Sequence, residues 1–196
     1  MLFRSEDRFH DRVMVRQCDI GDGQRASNLM IEVHQHVAPI KGVIHAAGVL
    51  RDALLARQTE ASFDEVWMPK AVGAMHLHRT CVEQVETELD LFVMFSSQTA
   101  LFGNAGQANY GAANTVLDAL AVRRRSMGLC GTSIQWGAWV EAGMAVESNV
   151  VGKMWSQGMR GIRNDEGFDA LDLCVSEGQP PVIAMVPVVQ IGRAHV

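Results

Sequence analysis

The chain has 196 residues, 48% hydrophobic and 20% charged, which excludes a disordered or fibrous chain and fits one globular domain. A formal net charge of −5 argues against nucleic acid or an anionic membrane as the main partner. Phenols and ammonium groups are scarce: Tyr110 is the single tyrosine, and among 17 basic residues the lysines are Lys41, Lys70 and Lys153.

Short apolar runs alternate with longer helical patterns, the signature of βαβ units around a parallel sheet. Residues 12–20 (RVMVRQCDI) predict a strand that ends at Asp19 and Ile20. Residues 25–37 predict a helix, with Leu29, Met30, Val33 and Val37 at helical spacing. The β-branched run 42–46 predicts a strand leading into the small-residue turn Ala46-Ala47-Gly48. A helix is expected over about 62–84, with Phe63, Val66, Trp67, Ala74 and Cys81 along one side and a kink at Pro69. The hydrophobic run 89–95 reads as a strand buried on both faces, ending in Ser96-Ser97.

A loop over 102–106 leads to a helix over 109–127, stopped by Gly128 and Gly131, with Arg123, Arg124 and Arg125 complementing the dipole of its last turn. Residues 132–136 predict the next strand. The irregular stretch 137–149 is the lid candidate. A helix from an Asn164 cap to about Val175, with Asp165 and Glu166 in its first turn, and a strand over 181–186 complete the pattern.

The N-terminus is charged and carries no secretory signal, and the longest apolar run, 182–189, is too short to span a bilayer and contains Pro187. Cys18, Cys81, Cys130 and Cys174 show no C-x-x-C spacing and read as reduced thiols of a cytoplasmic protein. The pairs His34/His36 and His76/His78 face different ways on a helix, which argues against a metal site.

In an open parallel sheet, ligands bind beyond the carboxyl ends of the strands. The loop after Asp19, the Ala46-Ala47-Gly48 turn, Ser96-Ser97 and the strand end at Trp136-Gly137 converge on that edge. Tyr110 and Asn114, four apart, leave one face of their helix a turn apart. A phenol is a poor acid at neutral pH, and a nearby ammonium lowers its pKa. Lys70, on the apolar stripe with Val66, Trp67 and Ala74, is the candidate cation. A serine hydroxyl and the phenol could hold a carbonyl oxygen while a proton is delivered. Singly, each residue has a blander reading: a core tyrosine, a strand-ending serine, an asparagine bonded back to its helix, a lysine snorkelling to water. Their joint appearance in this order points to chemistry.

The segments GVIHAAGVLRD, PKAVGAMHLH, LFVMFSSQTALFGNAGQANYGAANTVLDAL and TSIQWGAW closely resemble the ketoreductase domains of polyketide synthases, within the short-chain dehydrogenase/reductase superfamily. Ordinary members of the superfamily carry Tyr-x-x-x-Lys. Here Asn114 follows Tyr110 by four and the lysine, Lys70, comes from the preceding helix, the exchange that marks the polyketide branch.

The resemblance implies a Rossmann-like, doubly wound parallel α/β sheet with helices on both faces. Tyr110 resembles the proton donor, Ser97 the hydrogen-bond donor to the carbonyl, Lys70 the residue that depresses the phenol pKa and holds the nicotinamide ribose, and Asn114 the end of a relay through water. Asp19 and Ile20 resemble the adenine contact, Ala46, Ala47 and Gly48 the turn beside the cofactor, and Gly137, Ala138 and Trp139 the nicotinamide-side loop. The implied reaction is NADPH-dependent reduction of a β-ketoacyl thioester on an acyl carrier protein, alongside other synthase domains. Leu50-Arg51-Asp52 stands where the D-hydroxy-forming branch has Leu-Asp-Asp, and Phe102 stands where the opposite branch has tryptophan, which favours the D-hydroxy product.

The chain departs from the family at both ends. The Gly-x-Gly-x-x-Gly cradle for the pyrophosphate is missing, so the strand at 12–20 corresponds to the third of a complete fold and the N-terminal βαβ portion is expected upstream of Met1. The last six residues, IGRAHV, resemble one reading frame of a sequencing-library adapter, which divides the chain into a catalytic portion, 1–190, and a non-native tail, 191–196. The competing reading is a Rossmann-like interaction module or pseudo-enzyme that cannot bind nucleotide. An ordinary dehydrogenase is disfavoured by Asn114 and by the position of Lys70.

Overall fold

Four apolar runs become the strands of one parallel sheet: β1 (Gly42–His45), β2 (Leu91–Ser97), β3 (Thr132–Trp136) and β4 (Val182–Met185), in the order β1-β2-β3-β4. The fold is described from a computed structural model over residues 13–85, 88–141 and 158–188. The helices are α1 (Gly23–His36), α2 (Glu60–Trp67), α3 (Gly73–Glu83), α4 (Gln98–Phe102), α5 (Ala108–Ser126) and α6 (Asn164–Val175).

Because the strands are parallel, their carboxyl ends share one edge. Register pairs Ser97 with Trp136 and Trp136 with Met185, so β2, β3 and β4 finish level, while His45 at the end of β1 pairs with Met94. Alternation along β2 feeds two cores. Phe92 and Met94 face Met30, Ala74, Cys81, Leu117 and Leu120 under α1, α3 and α5. Val93 faces Ile134, Trp136, Ala170 and Cys174 under α6. Helices therefore cover both faces, as a doubly wound sheet requires.

The expected helix over 62–84 breaks where Pro69 withholds its N–H. A π-turn, Met68–Val72, absorbs the defect between α2 and α3. Lys70 falls inside this turn and is buried.

Several expectations are corrected. Residues 13–19 do not form a strand: they find no ladder partner among the described strands, and Val13, Met14 and Val15 stay exposed. The first helix starts at Gly23, because the Asp22 carboxylate accepts the N–H groups of Gln24 and Arg25. Asn164 is the first residue of α6 rather than its cap; Arg163 takes the cap position, and its N–H is accepted by Glu166.

Arg124 does more than complement a helix dipole. It is 1% exposed, sits 3.9 Å from the centroid of the Phe92 ring, and donates from Nε to the Cys130 carbonyl at 2.7 Å. Its Nη1 meets His78 Nδ1 at 2.8 Å; a guanidinium only donates, so His78 is the acceptor and is neutral. The lid candidate beyond residue 141 and the tail at 191–196 lie outside the described residues.

Candidate active site

Tyr110 enters the site on the first turn of α5, and Asn109 anchors that turn. The Asn109 side chain is fully buried: Oδ1 accepts the Tyr110 N–H at 2.8 Å, and Nδ2 donates to the carbonyls of Arg51 and Ser62 at 3.0 Å. The phenol ring packs with Val66, Ala71 and Ala113, fringed by Val49 and Leu50. Burial raises the Tyr110 pKa above the ordinary phenol value; the Asn114 and Ser97 side chains pull the other way, and the Asp52 charge adds to the rise. The net direction is upward, opposite to what was expected of Lys70 acting on this phenol.

Lys70 approaches from the π-turn. Its Nζ stands 5.2 Å from the Tyr110 ring centroid and donates to the Phe95 carbonyl at 2.9 Å. Burial pulls its pKa down to about 8, against the opposing pull of the Asp118 carboxylate. Asp118 in turn accepts from Ser133 Oγ at 2.6 Å and Gln135 Nε2 at 2.8 Å. Gly48 passes close by: a Cβ there would meet Lys70 Nζ at 3.3 Å, so the small-residue turn preserves space beside the ammonium. His45, buried at the end of β1, holds the π-turn through Nε2 on the Lys70 carbonyl at 2.9 Å. Burial pushes its pKa down to about 4; the Lys70 carbonyl works against that shift and the Lys70 charge with it.

Asn114 bonds back to its own helix, Nδ2 donating to the Tyr110 carbonyl at 2.8 Å. Its Oδ1 is buried and finds no partner among the described residues. Such an orphan acceptor costs about 1–3 kcal/mol. Ser97 ends β2 and caps α4, its Oγ accepting the Thr99 N–H at 3.2 Å.

The structure therefore brings together Tyr110, Lys70, Ser97, Asn114 and Gly48. The remaining expected contacts are engaged locally. Asp19 Oδ1 accepts the Gly21 N–H at 2.9 Å, and the Ile20 carbonyl meets His76 Nδ1 at 3.1 Å. Gly137 N–H donates to Met185, the Ala138 carbonyl accepts from Ile162, and the Trp139 ring stacks edge-on against Trp136 and Phe168. The run Gly21-Asp22-Gly23-Gln24-Arg25-Ala26 opens a helix with spacing close to a pyrophosphate cradle, but the Asp22 carboxylate occupies the amides a phosphate would need.

Sequence reasoning missed His45, Asn109, Thr99, Gln107 and Asp118. A histidine inside a β-branched run and an asparagine at a helix start are visible signals that such groups need buried partners. The distant partners of His45, Asn109 and Asp118 are 15 to 58 residues away along the chain and carry no local signal.

The KR domain family model matches residues 5–141. The chain is 38% identical over 172 residues to Polyketide synthase GfsA of Streptomyces halstedii, an alignment covering 88% of this chain and 2% of that protein. Among solved structures, one titled as A-type ketoreductases from a modular polyketide synthase is 37% identical, with a TM-score of 0.82 over 90% of this chain and 36% of that one. A short-chain dehydrogenase/reductase from Brucella melitensis, 16% identical with a TM-score of 0.76 over 89% of this chain and 75% of its own, shares the fold.

Proposed function

This chain belongs to the KR domain family, and from that premise we propose that it is a ketoreductase, reducing a β-ketoacyl thioester on an acyl carrier protein to the β-hydroxyacyl thioester with NADPH. The observation that carries the reading is the buried pair of Tyr110 and Lys70, 5.2 Å from ring centroid to ammonium, with Asn114 on the same helix face as the phenol. Residues 1–190 form the catalytic portion of the domain, which works in the cytoplasm beside other synthase domains. Among the described residues no helix is long and apolar enough to cross a membrane.

Burial keeps the Tyr110 phenol protonated at neutral pH, the form a proton donor needs. Ser97 donates to the substrate carbonyl oxygen and fixes its position; Tyr110 delivers the proton to that oxygen. The Lys70 ammonium and the Asn114 side chain stabilise the phenolate left behind, and a water on Asn114 Oδ1 returns the proton.

NADPH supplies the hydride when bound. The residues present fit its ribose and nicotinamide end: Lys70 offers ammonium protons and Gly48 leaves room beside them. The run at 21–26 does not fit its pyrophosphate. The test is NADPH consumption by the full-length protein with a β-ketoacyl thioester, and a β-hydroxyacyl product by mass. No consumption, with the protein folded, overturns the reading.

A further inference from the structure

The hydroxyl of Ser97 has one proton and two side-chain neighbours that could take it, the Tyr110 phenol and Thr99. Ser97 Oγ is 3.1 Å from Thr99 Oγ1, and either hydroxyl could donate. The answer comes from two residues further along. Gln107 Nε2 donates to Asp52 Oδ2 at 3.0 Å; a carboxylate only accepts, so this contact orients the amide. Gln107 Oε1 then accepts Asn104 Nδ2 at 2.9 Å and stands 3.2 Å from Thr99 Oγ1. An amide oxygen cannot donate, so the Thr99 bond to Gln107 uses the single Thr99 proton, and in that arrangement Thr99 accepts from Ser97. Thr99 is 7% exposed, and its methyl faces Gly111, where an added Cβ would come within 3.4 Å.

We propose that Asp52, Gln107 and Thr99 form a positioning relay that directs the Ser97 proton onto Thr99, so that a substrate carbonyl must win it from that acceptor. The relay trades substrate affinity for a pre-set serine. It rests on Ser97 being the donor to the carbonyl.

The test uses the full-length protein with saturating NADPH and a β-ketobutyryl thioester of N-acetylcysteamine, reading KM and kcat separately. Thr99→Val removes the acceptor yet leaves Gln107 Oε1 with Asn104 and Ser97 Oγ with the backbone N–H of residue 99. The expected result is a KM lowered about 2- to 10-fold, the weight of one net hydrogen bond, with kcat retained. Thr99→Ser, which keeps the hydroxyl, restores the parental KM. Gln107→Leu frees the Thr99 proton to point back at Ser97 and also lowers KM, which keeps the test open if Thr99→Val does not fold. A merely structural role moves these values the other way: an unchanged or raised KM in the folded Thr99→Val and Gln107→Leu variants overturns the relay. Ser97→Ala separates the two layers. Undiminished turnover in it refutes Ser97 as the carbonyl's donor, whereas lost turnover in Ser97→Ala beside an unchanged KM in Thr99→Val refutes the relay alone.

Discussion

The Lys70 ammonium stands 5.2 Å from the centroid of the Tyr110 ring and spends a proton on the Phe95 carbonyl at 2.9 Å. Both groups are buried, and burial dominates both titrations: it pulls the lysine down and pushes the phenol up, each toward its neutral form. A buried lysine facing an aromatic ring and a backbone carbonyl is a costly arrangement for a fold, and one that suits a site where charge develops during a reaction.

Replacing Lys70 by methionine exposes that cost. The native pKa of about 8 lies below the unfolded value, so the unfolded state holds the proton more tightly. The penalty is fully present below pH 8 and fades as pH rises toward 10.5. It amounts to about 3 kcal/mol; set against the lost bond to Phe95, Lys70→Met gains roughly 1–2 kcal/mol at pH 7. Thermal melting should show a higher Tm together with lost reduction, and a lower Tm contradicts the argument.

The same titration predicts an alkaline limb in the reaction. The value of kcat/KM should fall above about pH 8, as Lys70 loses its charge. A profile that stays flat to pH 9.5 removes Lys70 from the mechanism.

Tyr110→Phe deletes the acid and keeps the ring among Val66, Ala71 and Ala113. Turnover should drop by about 10²–10⁴, the usual weight of a positioned acid, while NADPH titration of the full-length protein gives an unchanged Kd. Turnover at the parental rate would falsify the assignment.

Acid should loosen the fold through histidine. The native His45 pKa is about 4, below the ordinary 6.5, so the unfolded chain takes up a proton that the native state refuses. Stability from this group is complete above pH 6.5 and lost progressively down to about pH 4, roughly 3 kcal/mol in all. His78, lowered by burial and by Arg124, acts in the same direction. Urea midpoints between pH 7 and pH 4.5 measure the slope, and His45→Gln should flatten it.

Gly128 follows the C-terminal end of α5 with φ of 76°, a left-handed conformation that side chains resist, and its N–H closes onto the Arg125 carbonyl. Gly128→Ala should cost about 1 kcal/mol, read as a lower Tm with KM and kcat unchanged.

Much of the architecture was legible along the chain. The strand at 132–136 and the break at Pro69 are local events, the first set by a short apolar pattern and the second by a missing N–H. Residues 13–19 misled because a short apolar run becomes a strand only when a neighbour completes its ladder, and none of the described strands does so. Arg124 misled because its place at the end of a helix explained it too easily; only the packing of α5 over Phe92 reveals a buried guanidinium.

What the sequence determined by itself is the cast: one phenol, a lysine on an apolar stripe, an asparagine one helical turn away and a serine ending a buried strand. Spacing along a helix or strand is a short-range property, and it suffices to name them. The tertiary structure decided their electrical state and their direction. Burial set the Tyr110 and Lys70 titrations, and the meeting of Asp52, Gln107 and Thr99 set the aim of the Ser97 proton. Desolvation and hydrogen-bond direction depend on every group packed around an atom, and those groups come from segments that the linear chain keeps apart.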